Sequence, residues 1–424
     1  MRIAGPILKL AARSLWNRKL TGFLTVLAVA LSVMLYLGVE KARHGARTSF
    51  ENTISGTDLI VGARSGPVNL MLYSVFHIGA PTNNISWRSY LRIAERPEVA
   101  WAIPISLGDS HRGFRVVGTD QSFFEHYQYG DGQAVRMARG DPFQGVFEAV
   151  IGADVAKRLG YRVGEEIVLS HGLGAVSFSD HADKPFTVAG ILAPTGTPVD
   201  RAVLVSLEGV RAIHIGWRGG GPTPMARMAT AARVEEMDLT PDQVTAVYLG
   251  LASKIAVLRL QREINTYPSE PLQAAIPGVA LNQLWSVVGV VERALASISG
   301  FVIFVGLLTI LISILTSLNE RRREMAVLRS LGARPHHVFT LLVSEAALLA
   351  LLGCALALLL LYGALYALAP VIAARTGVAL ADIGPGVQDL ALAGAVTLAA
   401  ALLGAIPAWR AFKNSLADGL TIRT

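Results

Sequence analysis

Asn319 to Pro335 reads NERRREMAVLRSLGARP, a short charged stretch set between two long apolar runs. Ala294 to Leu318 before it and Ala346 to Ala369 after it contain no charged residue, and each exceeds the roughly 20 apolar residues needed to cross a hydrocarbon core of about 30 Å. The stretch is therefore read as a tight loop on one face of a membrane, over 319–337. Arg321, Arg322, Arg323, Arg329 and Arg334 outnumber Glu320 and Glu324, and an excess of basic residues in a short loop marks the cytoplasmic side. Met325, Leu328 and Leu331 recur at three-residue spacing, so a helix gathers them on one face. Gly332 can take the positive φ that ends a helix and Pro335 cannot continue it, which predicts a sharp stop. The expected product is a rigid apolar knob shown to the cytoplasm.

Outward from this loop, the rest of the chain falls into place by charge and hydropathy. Residues 1–19 predict an amphipathic interfacial helix, with Ile3, Ile7, Leu10 and Ala11 on one face and Arg2, Lys9 and Arg13 opposite. Leu20 to Val39 is charge-free and long enough to span, so 20–39 is the first transmembrane helix; Ala28-Val29-Ala30 resembles a cleavage site but lies mid-run. The second, 286–318, carries Glu292 and Arg293 at its outer end, a pair too costly for the bilayer centre, which predicts a stalk projecting beyond the membrane. The third spans 338–369, an outer loop over 370–389 holds Arg375, Asp382 and Asp389, the fourth spans 390–409, and Arg410, Lys413 and Arg423 keep the tail, 410–424, inside.

Between the first two spans, 40–285 has no run of spanning length and alternates short apolar segments with Gly and Pro. Strands are expected at Asp58 to Val61, Val99 to Leu107, Phe114 to Gly118, Ala149 to Gly152, Glu166 to Ser170, Phe186 to Ile191, Ala202 to Val205 and Thr245 to Leu249, with helices at Asp154 to Leu159 and Ser253 to Asn265. Gly216 to Pro224, GWRGGGPTP, reads as a separator between an inner β-rich lobe and the segment returning to the membrane. The fold class is thus an α-helical membrane protein with four transmembrane helices and a large extracytoplasmic mixed α/β domain. Composition agrees: 424 residues, 52% apolar and 16% charged, with mean hydropathy +0.46, are too apolar for a soluble protein. A net charge of +7 does not point to nucleic acid, because the basic residues flank the spans instead of forming one aromatic-rich patch. Cys354, the single cysteine, excludes an intramolecular disulfide.

The order E-M-A-V-L-R-S-L-G-A resembles the coupling helix of the MacB/FtsX-type, or mechanotransmission, ABC transporter permeases, the family that includes the LolC/LolE lipoprotein-release permeases. VIGADVAKRLGYRVGEEIVL at Val150 to Leu169 and PFTVAGILAPTGTPVDRAVLVSLE at Pro185 to Glu208 are similar to the family's MacB-like periplasmic core. The segment 294–414 resembles its FtsX-like permease part. The closing PAWRAFKNSLADGL departs from the family's pattern, with Ser415 where Pro is usual and Gly419 where Ala is. The resemblance implies that Glu320, Glu324, Met325, Leu328, Arg329, Leu331, Gly332, Ala333 and Pro335 dock on a separate ABC ATPase. It also implies that ATP and magnesium are bound there and not in this chain, and that a second permease, identical or paired, completes the assembly in a bacterial inner membrane. A lipoprotein, lipid, peptide or small molecule is the expected cargo, with a periplasmic adaptor or lipoprotein as a further partner. Two other readings use the same membrane part: an FtsX-like signalling module that regulates an external hydrolase, and a metal-uptake-linked permease.

No Gly-Lys pair, G-x-S-x-G or H-E-x-x-H occurs in the sequence, so neither a P-loop nor a recognised hydrolase motif is present. Of nine histidines, His44, His77, His111, His126, His171, His181 and His214 fall in the exported domain. His171, Asp180, His181 and Asp183 carry metal-ligand chemistry, though their Gly-rich spacing fixes no geometry, and a polar loop without metal is the expectation. Glu345, an acid inside the third span, must face a partner or water. Ala346, Ala350, Gly353 and Ala357 form a small-residue stripe suited to helix packing.

Overall fold

The computed structural model describes residues 19–172, 180–218, 221–223, 230–320, 334–376 and 384–413. The interfacial helix expected over 1–19 lies outside these residues but for Lys19, as do Glu324, Met325, Leu328, Arg329, Leu331, Gly332 and Ala333 of the coupling stretch. Contacts divide the chain into two compact units, one built on residues up to Gly45, Gly289–Pro370 and residues from Ala381, the other on Ala46–Val288 and Val371–Leu380.

Four helices among the described residues are long and apolar enough to cross a membrane, Lys19–Glu51, Pro277–Leu318, His336–Ala369 and Val387–Trp409; they are called spans 1 to 4. Each helix outruns its charge-free stretch. The first continues to Glu51 because Glu40, Lys41 and Arg43 end hydrophobicity without ending helix propensity, and Glu40 and Arg43 form an i,i+3 ion pair. The second starts at Pro277, where a proline in the first helical position sacrifices no hydrogen bond. The third runs on to Thr376, and Asp389, expected in a loop, sits in the first turn of the fourth.

Packing in the membrane unit relies on small residues. Ala346, Ala350, Cys354 and Ala357 of span 3 are buried against Val29 and Val33 of span 1, Ile310 and Ile314 of span 2 and Val396 and Ala400 of span 4. A Cβ on Gly353 would lie 2.6 Å from Val29 Cγ1, and one on Gly404 would lie 2.6 Å from Ala346 Cβ, so these helices approach as closely as their backbones allow. Phe23, Leu24, Phe301, Phe304, Leu398 and Leu402 remain exposed, as lipid-facing side chains do. One polar knot interrupts the apolar packing. The Asp389 carboxylate, almost fully buried, accepts hydrogen bonds from Gly386 N–H at 2.7 Å and from the Tyr362 hydroxyl, and pairs with Lys41 Nζ at 3.2 Å.

The exported unit is organised by an eleven-stranded mixed sheet. Its strands are β1 Leu59–Ala63, β2 Val99–His111, β3 Phe114–Thr119, β4 Met137–Gly140, β5 Glu148–Ile151, β6 Glu166–Ile167, β7 Ser170–His171, β8 Phe186–Leu192, β9 Ala202–Ser206, β10 Ala246–Leu251 and β11 Leu272–Ala275. The order is β11-β1-β10-β2-β3-β9-β5-β8-β4, with β7 on β2 and β6 on β8. Only β9 with β3 and β8 with β5 run parallel among these pairs. Successive side chains of a strand face opposite ways, and here both faces are covered. Ile60, Ile103, Leu204 and Tyr248 enter one core, while Leu59, Val61, Val203 and Leu249 enter cores on the other side. Strands such as LIVGA and AVLVS are consequently buried at every position, which explains why they read as unbroken apolar runs. Phe50 and Trp285, near the ends of the first two long helices, belong to the first of these cores, with Phe50 4.3 Å from Phe76 and 5.8 Å from Trp285.

Several sequence expectations change. Helices α1 Pro67–Ser74, α2 Trp87–Ala94 and α4 Leu207–His214 join the expected α3 Ala153–Leu159 and α5 Val257–Asn265. Ser86 and Ser206 cap α2 and α4 by accepting from Ser89 N–H and Gly209 N–H. The strand expected over Glu166 to Ser170 is two short pieces, β6 and β7. The Gly216 to Pro224 stretch does not separate lobes: β10, which follows it, lies between β1 and β2, which precede it. The glycines of the VIGADVA and VAGIL motifs are explained by close approach. A Cβ on Gly152 would sit 2.3 Å from the Asp200 carbonyl oxygen, and one on Gly190 would sit 2.4 Å from that of Asp141.

Candidate functional site

Strand β2 is long, and its pairing with β3 shifts register between Leu107 and Ser110. Such a bulge re-aims side chains; Asp109, Ser110 and His111 are consecutively buried there. Strand β7 pairs with the same end of β2 and places His171 directly opposite Asp109. The backbone returns beside β7, where His181 N–H donates to Leu169 C=O at 2.9 Å and the His181 ring turns inward, fully buried. His214 closes the group from the last residue of α4.

These four side chains converge. His171 Nδ1 lies 3.2 Å from Asp109 Oδ1 and 3.2 Å from His214 Nε2, and His214 Nε2 lies 3.5 Å from Asp109 Oδ1. One ligand atom from each of Asp109, His171, His181 and His214 falls within 4.8 Å of all the others. Trp217 covers the group, its ring 4.4 Å from that of His181 and 5.8 Å from that of His171. A cavity of about 420 Å³ opens beside it, walled by Asn84, Val116, Leu207, Arg211 and Asp242 and reached by Asp109, His171 and His214.

Electrostatics follow from burial. Removal from water would raise the Asp109 carboxyl, but hydrogen bonds from His171 and His214 and the nearby imidazole charge outweigh it and hold the group down at about 2. Burial pushes His181 down to about 4, against the opposing pull of Asp109, so its imidazole is neutral near pH 7. In His214 burial acts to lower and Asp109 to raise, and the net direction is up. His214 Nδ1 bonds Val210 C=O at 2.8 Å, which orients the ring so that Nε2 faces the cluster. Neither ring nitrogen of His181 has a hydrogen-bond partner among the described residues, a state that costs on the order of 1–3 kcal/mol per orphaned group.

Two other exported histidines have partners of their own. His111 bonds Val168 C=O at 2.7 Å and the Tyr161 hydroxyl at 3.1 Å, and His126 stacks on Trp101. Of the residues singled out from sequence, His171 and His181 meet, whereas Asp180 binds the Ser170 hydroxyl at 2.7 Å and Asp183 pairs with buried Lys184. Asp109 and His214 are the companions that sequence reading missed. In the membrane unit Glu345 is buried, 5% exposed, beside the buried Leu342, Ala346 and Leu349 of its own helix. Of the nine coupling residues named from the resemblance only Glu320 and Pro335 are described, as the last and first residues of their helices.

Four apolar spans with a large mixed α/β domain inserted between the first two define a membrane protein with an extracytoplasmic domain. Residues 23–267 match the MacB-like periplasmic core domain, and residues 296–416 match the FtsX-like permease C-terminal family. The chain belongs to the MacB/FtsX-type ABC transporter permease family, whose members are permease components that work with ABC ATPases. Among solved structures, the periplasmic region of MacB from Actinobacillus actinomycetemcomitans is similar at 8% identity and a TM-score of 0.34, over 55% of this chain and 94% of that one. The extracellular domain of the noncanonic ABC-type transporter YknZ from Gram-positive bacteria is similar at 11% identity and 0.29, over 51% and 98%. Comparison with curated proteins gives no match.

Proposed function

We propose that this chain is the membrane subunit of an ABC transporter in a bacterial inner membrane, using ATP hydrolysed by a separate subunit to move its extracytoplasmic domain. Its cargo is a lipoprotein, lipid, peptide or small molecule handled on the outer side, and two permease chains work with two ATPases. The observation that carries this reading is helix continuity. Lys19–Glu51 and Pro277–Glu320 run unbroken past their charge-free stretches, and a continuous helix transmits displacement along its axis where a flexible loop would absorb it. The Phe50 and Trp285 contacts in the exported core give such a displacement something to move.

The drive enters through the coupling residues Glu320 to Pro335, with ATP and magnesium on the partner. Replacing Leu328 with Asp places an unpaired charge in the ATPase groove, at a cost of several kcal/mol. Replacing Gly332 with Val opposes positive φ at the helix end. Both variants should insert normally, keep the exported domain protease-resistant and lose co-purifying ATPase. Retention of the ATPase and of full activity by both variants would reduce the loop to a topology signal and remove this proposal.

A further inference from the structure

We propose that Asp109, His171, His181 and His214 form a binding site for one divalent transition-metal ion of the zinc class. The proposal goes beyond the transport reading and stands on the exported unit alone.

Its first support is spacing. With metal–nitrogen and metal–oxygen bonds of about 2.0–2.1 Å, the ligand atoms of a tetrahedral zinc site lie about 3.3–3.4 Å apart. Three edges of the cluster, 3.2 Å, 3.2 Å and 3.5 Å, bracket that value. When both imidazoles donate to the carboxylate, their N–H groups face each other across the 3.2 Å nitrogen–nitrogen edge, so three groups gathered this tightly are best served by one cation at their centre.

The second support is independent of the first. His181 is fully buried and both its ring nitrogens lack partners among the described residues, although a leucine would fill the same space without stranding polar atoms. A fourth ligand explains why an imidazole is there. His214 adds the outer hydrogen bond that metal-bound histidines usually make, from Nδ1–H to Val210 C=O.

The donor set selects the ion. Three imidazoles and one carboxylate suit zinc, cobalt, nickel or copper(II), and suit calcium or magnesium poorly, since those prefer all-oxygen shells. Neutral imidazoles and one carboxylate give the site a charge of −1, which a dication more than neutralises. Access distinguishes this site from a sealed structural one: the His171 side chain is 39% exposed and that of His214 27%, and both face the cavity. The ion should therefore exchange through the cavity.

The test uses the full chain in detergent micelles, without a histidine tag and stripped with chelator. Titration with zinc should show one tight equivalent per chain by calorimetry, and magnesium should show none. Cobalt(II) should give the intense visible bands of a four-coordinate ion, and copper(II) should quench Trp217, read as the difference from Trp217→Phe. His181→Leu should weaken zinc binding by roughly 100-fold or more while leaving the chelator-treated protein as heat-stable as the parent. His171→Ala, at the more exposed position, should do the same without disturbing the core. Equal zinc binding by the parent and a His171→Ala/His181→Leu double variant, or a weak six-coordinate cobalt spectrum in the parent, would overturn the assignment. A large loss of apo stability in His181→Leu would also count against it, by giving His181 a packing role instead.

Discussion

Replacing Asp389 with alanine removes the acceptor at the centre of the polar knot in the membrane unit. Its carboxylate, 5% exposed, is shared by Gly386 N–H, the Tyr362 hydroxyl and the Lys41 ammonium. All three donors bond an ionised carboxylate, and hydrogen bonds to charged groups contribute about 1.5–3 kcal/mol each, so at the low end that partly exposed donors warrant the three together come to about 4.5 kcal/mol. Lys41 is 28% exposed and water recovers part of its solvation once the carboxylate is gone, which lowers the expected loss to about 3 kcal/mol. Lys41→Ala leaves the other two donors in place and should cost about 1–2 kcal/mol. If the pair is a real link between spans 1 and 4, the double variant should be less destabilised than the sum of the singles by about 1 kcal/mol. The assay is SDS-driven unfolding of the full chain in mixed micelles, run as a double-mutant cycle with Asp389→Asn as the shape-conserving control. Additivity within about 0.3–0.5 kcal/mol would show that the two side chains do not interact, and the reasoning would fail.

A reporter fused near Gly172 should be exported and one fused near Arg329 cytoplasmic, and an exported Arg329 fusion would sink the four-span topology. Gly152→Val should destabilise the exported unit by about 3 kcal/mol or more, since its Cβ would lie 2.3 Å from a backbone oxygen that cannot swing away; unchanged thermal unfolding would contradict this. Gly353→Leu should disrupt packing against Val29 and lower the stability of the membrane unit in the same SDS assay, leaving the exported unit's protease resistance intact.

The membrane part was legible because lipid imposes one rule on every residue of a span, so the charge-free runs give its number and order directly. Helix ends were not, since Glu40, Lys41 and Arg43 stop a hydropathy signal and yet sit comfortably in a helix. Local strands such as Phe186–Leu192 and Ala202–Ser206 showed themselves by β-branched apolar runs. Their order did not, because pairings such as β1 with β10, Leu59 opposite Leu249, join residues far apart in sequence by shape alone. Glycine gave the misleading signal at Gly216 to Pro224, where a flexible composition was read as a boundary and the chain instead returns to the middle of the sheet.

The histidine cluster was half legible for a reason that its geometry explains. His171 and His181 are near in sequence and their chemistry could be noticed, but the nearest carboxylates, Asp180 and Asp183, lie beside them and not with them. In an antiparallel arrangement the neighbour across the strand outranks the neighbour along it: β7 meets β2 with His171 opposite Asp109, while Asp180 meets Ser170. One trace of Asp109 does exist in the sequence. In Ile105-Ser106-Leu107-Gly108-Asp109 an acid follows a glycine inside an apolar strand, the pattern of a bulge that turns a polar group where alternation would not put it. His214 leaves a fainter one, as the last residue of a helix just before Gly216, a place where an imidazole can bond backward to Val210 and present its other nitrogen outward. Read together, a bulged acid in one strand, an imidazole at the end of one helix and two more on neighbouring backbone segments describe a site that only long-range pairing assembles.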